Sequence, residues 1–160
     1  MYTIICATTR PENMTQKVAI IFGEILTDIN TAFQIVTPAD FDLPYDGAKD
    51  PIWTQIVNDS DGFILITPEY NHSFPGKLKT LLDSEYSAYA NKKVLICTVS
   101  SGGFGGVRAG LALLPILHKF GMRVYQSDLA ISFVDKTLED PAMLNEWTKK
   151  AAETTQKFIA

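Results

Sequence analysis

Three short runs hold most of the side chains in this chain that could do chemistry, and the chemistry they suggest is holding a ligand rather than attacking one. The first is Ala7-Thr-Thr-Arg-Pro-Glu-Asn-Met-Thr15. Thr8, Thr9, Asn13 and Thr15 offer side-chain hydrogen bonds and Arg10 offers positive charge, all just before a helix start. Unpaired backbone N–H groups and the helix dipole attract an anion there, so a phosphate monoester would fit. The same residues also fit an ordinary N-cap with turn residues. The second run is Pro68-Glu-Tyr-Asn-His-Ser-Phe-Pro75. Pro68 ends a strand by removing a ladder donor, and Pro75 suits the first turn of a helix. Tyr70 could pack against a ring and Asn71 could bond a sugar hydroxyl or a ring edge; a rigid connection with a buried tyrosine is the plainer alternative. The third run is Ser100-Ser-Gly-Gly-Phe-Gly-Gly-Val-Arg108, whose four glycines let backbone N–H groups come close to a ligand. It is not a dinucleotide fingerprint, because Arg108 stands where the third glycine belongs and the run does not follow the first strand.

Other chemistries fit poorly. Cys6 and Arg10 are four residues apart, whereas a phosphatase nucleophile loop places the arginine six after the cysteine. No Gly-x-Ser-x-Gly elbow is present, and a phosphate-binding Gly-x-x-x-x-Gly-Lys fails because Asn71 occupies the first glycine position. His72 and His118 lack partners at metal-ligand spacing, and no metal site is expected. Arg108 reads equally well as a salt-bridge partner on a helix face or as a site residue.

Stepping along the chain, strands and helices alternate. Strands are expected at 2–7, 33–37, 62–67, 93–99 and, in two pieces, 123–126 and 129–133. Helices are expected at 14–29, 51–59, 75–90, from the glycine turn to about 120 with Gly121 at its end, and 139–159. A loop rich in Pro, Asp and Gly spans 38–50. Pro115 should kink or break its helix, since it cannot donate to the Leu111 carbonyl. Five β-α units predict an α/β fold: a three-layer, doubly wound, five-stranded parallel sheet in the order 2-1-3-4-5. In that topology the three runs meet at the carboxyl ends of strands one, three and four, where open α/β sheets bind ligands.

The 160 residues suit one domain spanning 1–160. With 46% hydrophobic and 20% charged residues the chain is an ordinary globular one. Its net charge of −4 argues against nucleic acid as a partner. No apolar run reaches membrane-spanning length, and the first residues lack the basic start of a secretory signal. Cys6 and Cys97, in separate apolar strands, suggest buried free thiols and a cytoplasmic location.

Thr67-Pro-Glu-Tyr-Asn71 with Pro75-Gly76 and Leu78-Lys79, followed by Ser101-Gly-Gly-Phe-Gly-Gly-Val-Arg-Ala109, resembles the NADPH-dependent FMN reductase family of flavodoxin-like proteins over nearly the whole chain. The resemblance implies a bound FMN and NADPH or NADH as co-substrate. Hydride would pass from the nicotinamide to the flavin and then to a small acceptor: a quinone, azo compound, metal oxyanion or free flavin. The family's phosphate loop reads Gly-Ser-x-Arg-x-x-Ser; Thr8, Arg10 and Asn13 take its polar positions and Thr15 a further one, while Ala7 replaces the glycine and Asn13 a hydroxyl. The flavin-ring contacts carry over to Pro68, Glu69, Tyr70 and Asn71, and to Ser101, Gly102 and Gly103. Gly102 and Gly103 N–H groups would stabilise charge on the ring, and no side chain need act as acid, base or nucleophile. The family also implies a homodimer or higher homo-oligomer, to which exposed apolar residues around Tyr86 and Tyr89 would lend support. A non-catalytic flavin-binding or interaction module of the same fold is the alternative.

Overall fold

Along the central strands apolar residues point alternately to opposite faces, and both faces are covered, so nearly every strand position is apolar. A computed structural model describes residues 1–43, 48–127 and 129–160. Strand β1 (Tyr2–Cys6) lies between β2 (Phe33–Val36) and β3 (Gly62–Pro68), and β4 (Lys93–Val99) follows β3. Two short strands, β5 (Arg123–Val124) and β6 (Ala130–Ile131), both pair with β4. All pairings are parallel and the order is β2-β1-β3-β4-β5, as expected from the sequence.

One face of the sheet, with Ile4, Cys6, Ile64, Ile66, Leu95 and Cys97, packs against α1 (Met14–Asp28) and α6 (Pro141–Ile159) through Val18, Phe22, Trp147 and Phe158. The other face, with Ile5, Phe63, Leu65 and Val94, packs against α2 (Pro51–Asp59), α3 (Gly76–Asp83) and α4 (Val107–Lys119) through Trp53, Val57, Leu78, Leu81, Leu113 and Leu117. Cys6 pairs in register with Ile66, and Ile66 with Cys97. A whole strand therefore separates the two thiols, and at about 4.8 Å per strand spacing they are too far apart to bridge.

Three expectations need correction. The helix expected over 75–90 stops at Asp83. Ser84 donates back to the Leu81 carbonyl, and the buried Glu85 carboxylate accepts from the Tyr86 and Ala88 N–H groups, so these donors leave the helical pattern. A short 3-10 turn, Ser87–Tyr89, follows. The helix expected from 139 starts at Pro141, with Asp140 as its N-cap accepting from Ala142 and Met143 N–H at 2.9 Å each. An additional six-residue helix, α5 (Val134–Glu139), precedes it, entered through Phe133 at φ 48°, directly after the segment expected to be a strand, of which β6 keeps Ala130–Ile131. Pro115 does not interrupt α4. It and Leu111 are both exposed, so water can satisfy the carbonyl that Pro115 leaves free.

Of the loop expected over 38–50, Pro38–Asp40 forms a 3-10 turn, and 44–47 lie outside the described residues. Tyr86 is 51% exposed, whereas Tyr89 is fully buried: Trp53 Nε1 donates to its hydroxyl at 2.7 Å and its ring stacks on Phe120. Gly121, at φ 70°, closes α4 with its N–H on the His118 carbonyl. Among the described residues no helix is long and apolar enough to cross a membrane.

Candidate functional site

Because β1, β3 and β4 are adjacent and parallel, the turns leaving their carboxyl ends converge, and a cleft of about 850 Å³ opens between them. It is lined by Thr8, Arg10, Asn13 and Thr15 from the first turn, by Pro68, Glu69, Tyr70 and Asn71 from the second, and by Ser101 and Gly102 from the third. Of the FMN contacts that the resemblance implies, Gly103 alone is not in the lining; Thr9, which the first run also offers, is not in it either.

The first turn is held by its own polar groups. Asn13 is the N-cap of α1: its Oδ1 accepts from the Gln16 N–H at 2.7 Å while its Nδ2 donates to the Arg10 carbonyl at 2.5 Å. Asn13 therefore serves the chain itself, in the way the plainer alternative requires. Its cap satisfies Gln16, and the N–H groups of Met14 and Thr15, at the first helical positions, have no acceptor within the helix. The first helical turn of α1 carries no acidic residue, while Glu12, just before the cap, lines the cleft. Thr8, almost fully buried, exchanges a 2.7 Å hydrogen bond with the Tyr70 hydroxyl and accepts from the Arg10 N–H at 3.3 Å. The Arg10 guanidinium lies over the Tyr70 ring, 4.2 Å from its centroid. Thr8 and Arg10 thus tie the first turn to the second.

The second turn closes as a miniature hairpin. Tyr70 and Ser73 exchange both backbone hydrogen bonds, at 2.8 and 3.0 Å, around Asn71 and His72. Those two residues have φ of 50° and 65°, the left-handed pair that a two-residue hairpin turn of this kind demands. Asparagine tolerates that conformation, which gives position 71 a backbone reason as well as a side-chain one. The Glu69 carboxylate accepts from the backbone N–H and the guanidinium of Arg108, each at 3.3 Å. It neutralises the start of α4, and Arg108 is the salt-bridge partner that one of its two sequence readings describes.

The third turn divides in two. Gly105 and Gly106, at φ 60° and 79°, are required by the fold. A Cβ on Gly105 would sit 2.8 Å from the Ala130 Cβ, and one on Gly106 would sit 2.9 Å from the Val99 carbonyl oxygen. Gly103 faces the Phe133 ring, 3.2 Å from an added Cβ, and its carbonyl accepts from the Ser132 hydroxyl. Gly102 differs from these: a Cβ there would meet nothing nearer than the Ser100 hydroxyl oxygen at 3.6 Å, and it lines the cleft. Nothing in the chain's own packing asks for glycine at 102. Its N–H already donates to the Ser100 hydroxyl at 3.0 Å, so the charge-stabilising role expected of it would require that bond to be exchanged.

Sequence reasoning missed the contribution of α5. Val134 and Asp135 close one side of the cleft, brought there by the Val134 N–H on the Ser100 carbonyl and the Phe133 N–H on the Gly102 carbonyl. No local motif marks them; they arrive only because β6 returns to pair with β4. Beneath the first turn, burial pushes the Cys6 thiol up to about 11, with a backbone hydrogen bond at Thr8 acting the other way and Asp40 adding to the rise. It is a poor nucleophile there.

Comparison with known proteins points in one direction. Residues 2–136 match the NADPH-dependent FMN reductase family. An NAD(P)H-dependent FMN reductase of Saccharomyces cerevisiae is 36% identical over 80 residues, 50% of this chain and 41% of its own length. The chain thus spans less than half of that relative. A quinone reductase of Pseudomonas putida is 29% identical over 159 residues, 91% of this chain and 85% of its own. In three dimensions the chain is similar to the flavoenzyme NAD(P)H:(acceptor) oxidoreductase of Paracoccus denitrificans. The TM-score is 0.72 with 19% identity, over 98% of each chain, a likeness of fold.

Proposed function

The chain belongs to the NADPH-dependent FMN reductase family, and from that premise we propose that it is an FMN-dependent NAD(P)H oxidoreductase acting on a small acceptor such as a quinone, azo compound, metal oxyanion or free flavin. The single observation that carries this reading is the gathering of the three turns, with all but Gly103 of the FMN contacts that the resemblance implies, around one cleft. The residues present fit the cofactor. The cleft falls within the usual volume range of small-molecule sites. One end offers a helix start without acid in its first turn, a buried threonine hydroxyl and an arginine. The Tyr70 ring stands against that threonine and arginine, and Gly102, whose missing side chain leaves open space, lines the cleft from the third turn.

When bound, FMN supplies the redox chemistry, accepting hydride from a reduced nicotinamide and passing electrons to the acceptor. Thr8, Arg10, Thr15 and the first N–H groups of α1 hold the phosphate. Pro68, Tyr70 and Asn71 on one wall, with Ser101 and Gly102 on the other, orient the ring. Asn13 acts one step back, by fixing the helix start. Glu69 likewise fixes the second turn to α4 through Arg108. Met14, Val99 and Val134 supply apolar lining that excludes water from the buried side. The family likeness supports NADPH or NADH as donor alike.

We also propose a single-domain homodimer of the cytoplasm. The exposed apolar side chains of Phe104 (71%) and Leu111 (60%), beside α4 and on it, favour a subunit contact. The two buried free cysteines suit a reducing compartment.

The test is spectroscopic. Purified protein loaded with FMN should lose the flavin's visible band on anaerobic addition of NADPH or NADH and regain it with a quinone. A yellow protein inert to both nicotinamides would favour a binding module instead. A protein that cannot be loaded would discard the enzyme reading.

A further inference from the structure

Arg10 stands in an unusual position for a surface cation. Among the described residues it forms no ion pair, although Glu12, Glu69 and Asp135 line the same cleft. Its backbone is pinned on both sides, the N–H by the Thr8 hydroxyl and the carbonyl by the Asn13 amide. Its guanidinium rests on the Tyr70 ring. The ring is fixed in turn by the Thr8 hydroxyl and by the hairpin closure at Ser73. A pinned backbone thus carries a charge that has no ion-pair partner among the described residues and rests on one face of an aromatic side chain lining the cleft.

We propose that Arg10 and Tyr70 form a phosphate-released latch that makes this cleft select a phosphorylated flavin over its dephosphorylated form; this rests on the FMN reading above. Without phosphate the guanidinium covers an aromatic face that a planar ligand would otherwise use. A phosphate at the start of α1 offers charge-assisted, two-point hydrogen bonding, a stronger partner than the ring. It draws Arg10 off Tyr70 and frees that face. A ligand with the same ring and no phosphate must displace the cation unaided. Arg10 therefore acts with opposite sign on the two ligands: it is a holding group for FMN and an internal competitor for riboflavin. An arginine that merely held phosphate would leave riboflavin affinity untouched.

The experiment measures dissociation constants for FMN and riboflavin by quenching of flavin fluorescence, in the parent, Arg10→Ala and Arg10→Lys. Arg10 is exposed, so neither change threatens the fold. In Arg10→Ala, FMN should bind about tenfold more weakly or worse, while riboflavin binds about two- to fivefold more tightly. Arg10→Lys should recover part of the FMN loss, by restoring charge, and bind riboflavin more tightly than the parent does, because an ammonium lacks the planar surface that stacks on a ring. Riboflavin affinity that falls, stays level or goes undetected in Arg10→Ala overturns the latch. A parent protein that binds neither flavin overturns the cofactor reading itself, and is told apart from failure of the latch by the FMN measurement on the parent.

Discussion

Two polar regions of this molecule are built to opposite rules. One is the knot around Glu85, a carboxylate whose side chain is 0% exposed. It accepts from the Tyr86 N–H at 2.8 Å, the Thr54 hydroxyl at 2.8 Å, the Lys49 ammonium at 3.0 and 3.1 Å, and the Ala88 N–H at 3.2 Å. Burial pushes its carboxyl up, but these hydrogen bonds outweigh burial and hold it down to about 2, against an ordinary 4.5. The other region is the cleft. There the first helical turn of α1 carries no acid, an arginine rests on a ring, and a glycine borders open space. The knot is complete without any ligand, and the cleft is not. Around Glu85 the chain saturates its own polar groups, whereas in the cleft they keep capacity for something else.

Substitutions at four positions would break or sharpen this contrast. The largest effect belongs to the knot: Glu85→Ala should cost about 3 kcal/mol of stability in urea unfolding, because the Tyr86 and Ala88 N–H groups lose a buried acceptor. FMN affinity should stay unchanged. The same carboxylate sets an acid limit. Since its folded value lies below its unfolded one, its contribution is complete above about 4.5 and is lost as pH falls toward about 2. Thermal unfolding of Glu85→Gln should accordingly depend less on pH within that window than the parent. Equal slopes would show that the knot does not hold the proton off.

Next, Gly106→Ala should cost about 2 kcal/mol, from the left-handed backbone and the Val99 carbonyl in its way. Gly102→Val should do the reverse: stability within about 0.5 kcal/mol of the parent, but FMN binding weakened about tenfold through loss of open space. Matching behaviour of the two glycines would dissolve the division of that turn. The smallest effect is at Asn71. Asn71→Ala should lose about 1 kcal/mol of stability from its positive φ, and Asn71→Gly should not. If both weaken FMN equally, the side chain contacts the ligand; if only the alanine variant does, its role is to shape the turn.

The sheet was legible in the sequence because burial on both faces writes long apolar runs, and the turns were legible because prolines and glycines bound them. Roles within the turns were less so. Asn13 looks like a ligand-facing group until its amide is seen closing the start of α1, and the four glycines look equivalent until Ala130 and Val99 are seen pressing on two of them. Glu69 and Arg108 pair across 39 residues of chain, a separation no local pattern encodes. The late helix boundary is a different case: Asp140-Pro141 is a readable cap, and it sets the start of α6 two residues beyond the expected 139. Val134 and Asp135 join the cleft because β6, inside the strand piece expected at 129–133, pairs with β4 and leads into a helix too short to show a periodic pattern.

The most direct test is a crystal structure of the protein with FMN. The phosphate should lie at the start of α1 within hydrogen-bond reach of Thr8 and Arg10, with the guanidinium lifted from Tyr70 and the flavin ring between the turns after β3 and β4. FMN bound elsewhere, or a cleft closed by the chain's own side chains in crystals grown with saturating FMN, would contradict the account.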